Sequence, residues 1–278
     1  MTATRTSGFF PWLIRVAVLA LATAALRVPA FAGSLDDIRA RGTLVVGTKA
    51  DYQPFGFRDA SGAIVGFEPD LAGEVAKALG VSLKLVPVVA STRISLLQSG
   101  DLDLVIATMN DTPERREQVD FVEPSYYASG VNVLAPKSAH LHVWQELRGK
   151  PVCSVEGAFY LPEIQSRYSP KLRTFKDTGQ VYAAVKAGEC VAVYDDAAII
   201  GQLQLPEWQQ DYEMPLRSVL VQPWGMAVRR GNAELAALVG GLVKKWHASG
   251  HIAALEQAWH IPPSVFAGEM HRRYADAD

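Results

Sequence analysis

Cysteine is scarce in this chain: two among 278 residues, Cys153 and Cys190, with six histidines at no metal-ligand spacing to them. A zinc cluster of the Cys/His kind is therefore not expected. His247 and His251 stand four apart, but Gly250 intervenes and no third ligand is evident. An excess of basic charge is also lacking, since 27 Lys and Arg face 29 Asp and Glu. That balance does not suit a nucleic-acid partner. No phosphate-cradling loop and no nucleophile–base pair stands out, so the residues assign no catalytic group and no cofactor. The apolar run "VAVLALATAAL" at 16–26 is too short to span a bilayer.

That run has a different meaning. It follows "MTATRTSGFFPWLIR", with two arginines and no acid, and leads to the small residues "AFA" at 30–32 before Gly33. Basic start, apolar core and small residues at a cleavage point make a secretory signal peptide over 1–32, cut near Ala32. An uncleaved anchor is the alternative, and Arg27 interrupting the apolar stretch speaks against it. No cysteine follows the core, so a lipid anchor is not expected. Loss of three arginines leaves 24 basic against 29 acidic residues, a formal charge of −5. Both cysteines lie in the exported part, where thiols tend to pair, so a Cys153–Cys190 disulfide is expected over two buried free thiols.

The rest of the chain alternates strand and helix signals, the mark of a parallel α/β architecture. "TLVVGT" (43–48), "AIVGF" (63–67) and "SLKLVPV" (82–88) read as strands. "DLAGEVAKALG" (70–80) carries Leu71, Val75 and Leu79 at helical spacing, and "STRISLLQSG" (91–100) has Ser91 to cap it and Gly100 to stop it. An internal repeat follows. "LLQSGDLDLVIAT" (96–108) and "AVKAGECVAVYDD" (184–196) align without a gap as helix end, glycine, acid and apolar strand. Two such units suggest two lobes, each with its own mostly parallel sheet.

Open parallel sheets bind ligands beyond the carboxyl ends of their strands. Lys49, Thr108 and Arg115 fall at such ends in the first half and Asp195 in the second, so one lobe offers cations and the other an anion. A zwitterion requires this arrangement of opposites. An arginine fork matches a carboxylate and an aspartate accepts from an ammonium, both more strongly where closure excludes water.

Three segments, "GTLVVGTKADYQPFGFRDASGAIVGFEPDLAGEVAKALG", "RISLLQSGDLDLVIATMNDTPERREQVDF" and "EPSYY", resemble the family 3 extracellular solute-binding proteins of ABC importers, the binders of polar amino acids. The likeness runs from about Gly42 to the C-terminus. It implies a type II periplasmic binding fold: two lobes, each a mostly parallel sheet flanked by helices, joined by two hinge strands. The first lobe would comprise 38–128 and 225–278, the second 129–224. It further implies a monomer in the periplasm that takes an amino acid and passes it to an inner-membrane ABC permease. By the same resemblance Arg115 grips the α-carboxylate with Thr108 and Asn110, Asp195 receives the α-ammonium, and Tyr52 covers the ligand. Lys49 and Arg93 resemble residues of the aspartate and glutamate binders, which implies an acidic amino acid. The alternative for this pair is Lys49 turned to solvent and Arg93 paired with Glu68 or Asp70. Arg116 reads as a solvated helix residue. Where relatives carry hydroxyl residues this chain has Ala158 and Phe159, so Phe159 or Tyr160 is a candidate wall of the pocket.

Two rival functions come from other classes. Some proteins of this fold are periplasmic dehydratases of prephenate or arogenate, for which Glu156, Asp196 or Lys49 would be the available acids. A receptor's sensory domain is the other, but it requires a membrane helix after the domain, where "PPSVFAGEMHRRYADAD" stands instead.

Overall fold

The computed structural model describes residues 1–2 and 34–275. Residues 3–33 and 276–278 lie outside the described residues, and with them all but the first two positions of the expected signal peptide, 1–32, and its cleavage point near Ala32. Among the described residues no helix is long and apolar enough to cross a membrane.

Two sheets organise the molecule as a two-lobed type II binding fold. The first has the strand order Ser82–Pro87, Thr43–Thr48, Leu104–Val105, Ala227–Val228, Asp120–Phe121. Its first three strands are parallel, in register from Thr43 beside Ser82 to Thr48 beside Pro87, and Ala227–Val228 runs antiparallel to both its neighbours. The second has the order Lys171–Phe175, Pro151–Val155, Val191–Asp195, Tyr127–Pro136, Tyr212–Glu213. Again the first three are parallel and the next antiparallel. Val219–Trp224 pairs with the other side of Tyr127–Pro136. The aligned strands of the internal repeat, Leu104–Val105 and Val191–Asp195, thus hold the same third place in their sheets. Gly100 and Gly188 follow the preceding helices with φ of +87° and +72°, a conformation glycine adopts without a Cβ clash.

Both faces of each sheet are covered, as parallel strands require. In the first sheet Leu104 and Ile106 join one apolar cluster while Val105 and Ala107 join another. In the second, Leu134 faces the first of these clusters and Val131, Val133 and Ala135 a third. The period of two in each strand puts alternate residues on opposite faces.

The chain passes between the sheets twice, after Phe121 and after Trp224, and the crossings are bonded together. Val122 N donates to Met226 O (2.8 Å) and Tyr126 N to Trp224 O (3.1 Å). Trp224 is fully buried there, its ring 5.0 Å from that of Phe55 and 5.4 Å from that of Tyr127. The expected disulfide is present. Cys153 lies within Pro151–Val155 and Cys190 immediately precedes the adjacent Val191–Asp195, with Cα atoms 5.8 Å apart.

Three local readings differ from the sequence expectation. The strand expected over 63–67 is only Ile64–Val65, in a separate small antiparallel sheet with Asp51–Tyr52 and Gly56–Arg58. Gly66, at φ +137°, turns the chain so that Phe67 N and Glu68 N reach Pro54 O and Phe55 O, and the helix begins at Phe67 rather than at 70. A Cβ on Gly66 would stand 2.6 Å from Phe55 O, so only glycine permits that start. The next helix is Arg93–Ser99, preceded by Thr92 rather than Ser91.

Candidate functional site

The side chains singled out in the sequence converge where the carboxyl ends of both sets of parallel strands face each other. Lys49 follows Thr43–Thr48, Thr108 and Asn110 follow Leu104–Val105, and Asp195 ends Val191–Asp195. Arg93 opens its helix, and Tyr52 projects from Asp51–Tyr52. All six line one inner cavity of about 20 Å³, walled further by Tyr160 and Tyr194. Such a space admits about one water molecule. Any amino acid must therefore enter a wider form of the cleft.

Arg115 occupies a different place. Thr112 caps its short helix, Pro113–Arg116, by accepting from Arg115 N, and the guanidinium lies at the border with an outer chamber of about 740 Å³ that Phe159 also lines. Nη1 donates to Asn110 O (2.8 Å) and Nη2 crosses the cleft to Gly157 O (3.0 Å). The fork has five N–H donors, so three remain beyond those two bonds. Its neighbour Arg116 faces away, half exposed and ion-paired with Asp111 and Glu123. Of the two wall candidates, Tyr160 borders the inner cavity and Phe159 the outer chamber.

The electrostatics are those of charges held out of water. Burial raises Asp195 to about 6, although Tyr52, whose hydroxyl donates to Asp195 Oδ2 at 2.6 Å, and the nearby Arg93 and Arg115 pull it down. Burial lowers Arg93, with Asp195 and Glu68 acting against it. Its Nη1 donates to Ala107 O, not to a protein acid. Lys49 is 2% exposed and so does not turn to solvent; its Nζ lies 2.8 Å from Asp51 Oδ1, an ion pair without hydrogen-bond alignment. Burial and the adjacent Arg93 depress Arg115.

Among the described residues, the buried polar atoms in this region without a hydrogen-bond partner include Asp195 Oδ1, Asn110 Nδ2, Arg93 Nε and Glu68 Oε2. Unpaired buried polar groups are rare because each forfeits its hydration. The first three belong to residues around the inner cavity, one an acceptor and two donors.

Two residues the sequence reading did not assign to the site support it from behind. Glu68, fully buried, accepts from Thr108 N (2.6 Å) and from Tyr126 Oη. That bond anchors Thr108 at φ +46°, a left-handed conformation that a β-branched residue adopts only when its surroundings enforce it. Burial raises Glu68 to about 7 against the pull of those two donors. The signal was present in the sequence: Glu68 shares the buried stripe of its helix with Leu71, Ala72 and Val75. Asp51 is the second, and its Oδ2 accepts from Thr178 N across the cleft at 2.8 Å.

Residues 44–262 match the model of the bacterial extracellular solute-binding proteins, family 3. The chain belongs to that family. Among its relatives, the L-cystine-binding protein TcyJ of Escherichia coli (strain K12) is 30% identical over 253 residues, covering 89% of this chain and 94% of the relative. The ABC transporter glutamine-binding protein GlnH of Bacillus subtilis (strain 168) is 29% identical, covering 81% and 84%. Of solved structures, the ancestral amino acid-binding protein AncCDT-1, described as a precursor of cyclohexadienyl dehydratase, superposes with a TM-score of 0.72 at 31% identity, covering 81% of this chain and 98% of that one. This family 3 protein is thus an amino acid-binding component of ABC import by class. Its relatives named here differ in ligand, so the pocket has to select the amino acid.

Proposed function

We propose that the protein binds an acidic amino acid, aspartate or glutamate, between its lobes in the periplasm and delivers it, as a monomer, to an inner-membrane ABC permease. The observation that carries this reading is the set of unpaired buried atoms at one cavity, an acceptor at Asp195 Oδ1 and donors at Asn110 Nδ2 and Arg93 Nε. A zwitterion complements both kinds, and burying it there would replace the missing partners. Asp195 takes the α-ammonium; Asn110, Thr108 and the free N–H groups of Arg115 take the α-carboxylate. Lys49 and Arg93 read the side-chain carboxylate, and Tyr52 covers the ligand. The lobes divide as 38–128 with 225–278 and 129–224, moving about the two crossings.

Charge supports the acidic choice. Lys49, Arg93 and Arg115 face Asp51 and Asp195, while Glu68, raised to about 7, is half protonated at neutral pH. On the wall of the inner cavity itself Lys49 and Arg93 outnumber Asp195, which favours a ligand with a side-chain carboxylate and repels a lysine or arginine ligand. Calorimetric titration with L-glutamate, L-aspartate, L-glutamine and L-arginine tests this: the two acids should bind tightest, and tight binding of arginine alone would overturn it.

One observation keeps a second reading in view. A buried carboxyl raised to about 6 is poised as a general acid, and Asp195 lies in the cleft of a fold shared with a dehydratase precursor. We nonetheless propose a binder and not an enzyme, because Asp195 Oδ1 lies unpaired at the inner cavity as an acceptor for an ammonium, while Lys49 and Arg93 on the same wall suit the carboxylates of a zwitterion. Incubation with prephenate should yield no phenylpyruvate; its appearance would reverse this choice.

A further inference from the structure

Asp51 holds two partners that belong to different parts of the molecule. Oδ1 pairs with Lys49 Nζ at 2.8 Å within the first lobe, and Oδ2 accepts from Thr178 N at 2.8 Å on the second. Thr178 is the first residue of helix Thr178–Lys186, whose cap Asp177 already serves Gln180 N through Oδ1 at 2.9 Å. A further first-turn amide, that of Thr178 itself, is given to a carboxylate 127 positions earlier in the chain. A helix N-terminus favours such a charge, and the contact exists only while the lobes are together. Burial raises Asp51, but Lys49 and Thr178 outweigh it, so the carboxylate stays ionised at neutral pH.

We propose that Asp51 is a specificity-determining residue that fastens the second lobe to the first while tempering the charge of Lys49, and so sets how strongly an anionic ligand side chain is preferred over its neutral amide. The specificity half rests on the reading of Lys49 as a ligand-facing group; the fastening half does not. With Lys49 3% exposed at its side chain, its field on the cavity is little screened by water, and Asp51 is its ion-pair partner. Removing only the negative charge should free Lys49 for a ligand carboxylate. Removing the acceptor as well should release Thr178.

Two variants separate these effects. Asp51→Asn keeps an oxygen for Thr178 N and discards the charge; calorimetry with L-glutamate and L-glutamine should show their affinity ratio rising about ten-fold towards glutamate. Asp51→Ala discards both, and spin-label distances between the lobes without amino acid should shift to a wider distribution than in the parent protein. An unchanged distance distribution in Asp51→Ala overturns the fastening role whatever the ligand proves to be. An affinity ratio within two-fold of the parent in Asp51→Asn overturns the specificity role. If the parent binds neither amino acid, the acidic reading and with it the specificity role fail, while the distance measurement still decides the fastening role.

Discussion

At the scale of single residues, two buried carboxyls carry the pH behaviour. In the proposed binding mode Asp195 accepts from the ligand ammonium only when ionised, and burial raises it to about 6. Lowering the pH from 7.5 to 5 should therefore weaken binding roughly ten-fold, as calorimetry at the two values would register. Asp195→Asn should bind roughly 10- to 100-fold more weakly at pH 7.5, the loss expected for a hydrogen bond to a charged group, and should lack that step. Glu68 acts on stability instead. Its folded form holds a proton more tightly than the unfolded chain, since burial raises it from 4.5 to about 7. Its contribution is fully present below about 4.5 and is lost as the pH rises through about 7, a change of roughly 3 kcal/mol at most. Asp195 works in the same direction and Asp51, whose carboxyl is lowered, in the opposite one. Urea unfolding at pH 4.5 and 8 should show Glu68→Gln losing much of that difference.

At the scale of elements, the disulfide and the helix starts matter most. Cys153 and Cys190 are 37 positions apart and staple adjacent parallel strands of one sheet, without crossing between the sheets. Reduction should lower stability by roughly 2–4 kcal/mol through the freed loop of the unfolded chain. It should leave amino acid affinity within about two-fold, because the bridge joins neighbouring strands of one sheet and does not span the cleft. Thermal melts and titrations with and without reductant check both statements. Element boundaries were less legible than element types. The long helix begins earlier than its apolar spacing indicates because Gly66 lets Phe67 and Glu68 bond to the 54–55 loop, a contact between segments that no local pattern records.

At the scale of the molecule, closure is limited by backbone approach. Gly201, in helix Asp196–Leu203, meets the loop at Gln53 and Pro54: a Cβ there would stand 2.4 Å from Pro54 Cδ and 2.7 Å from Gln53 O. Gly201→Ala should hold the lobes apart and weaken binding of every amino acid by a similar factor, about ten-fold, leaving the order of preference intact. Titration of the variant with the same four amino acids would separate this from a change of specificity. The cross-cleft bonds of Tyr52 to Asp195, Asp51 to Thr178 and Arg115 to Gly157 add directional contacts to that apolar fit.

The sequence by itself determined the class of fold, the doubled helix–glycine–strand unit, the pairing of the only two cysteines, and six residues that meet at one cavity. The doubled unit and the cysteine pairing follow from periodicity and composition, and the type II fold and the set of site residues from the resemblance of the quoted segments to family 3; all of these are properties of neighbours along the chain. Only the tertiary structure decided that Arg115 stands at the outer chamber, that Glu68 holds Thr108, and that Asp51 links Lys49 to a helix of the other lobe. Each of those depends on groups 40 or more positions apart being brought within hydrogen-bond reach. Such distances are set by how two sheets pack and close, and a one-dimensional pattern does not contain them.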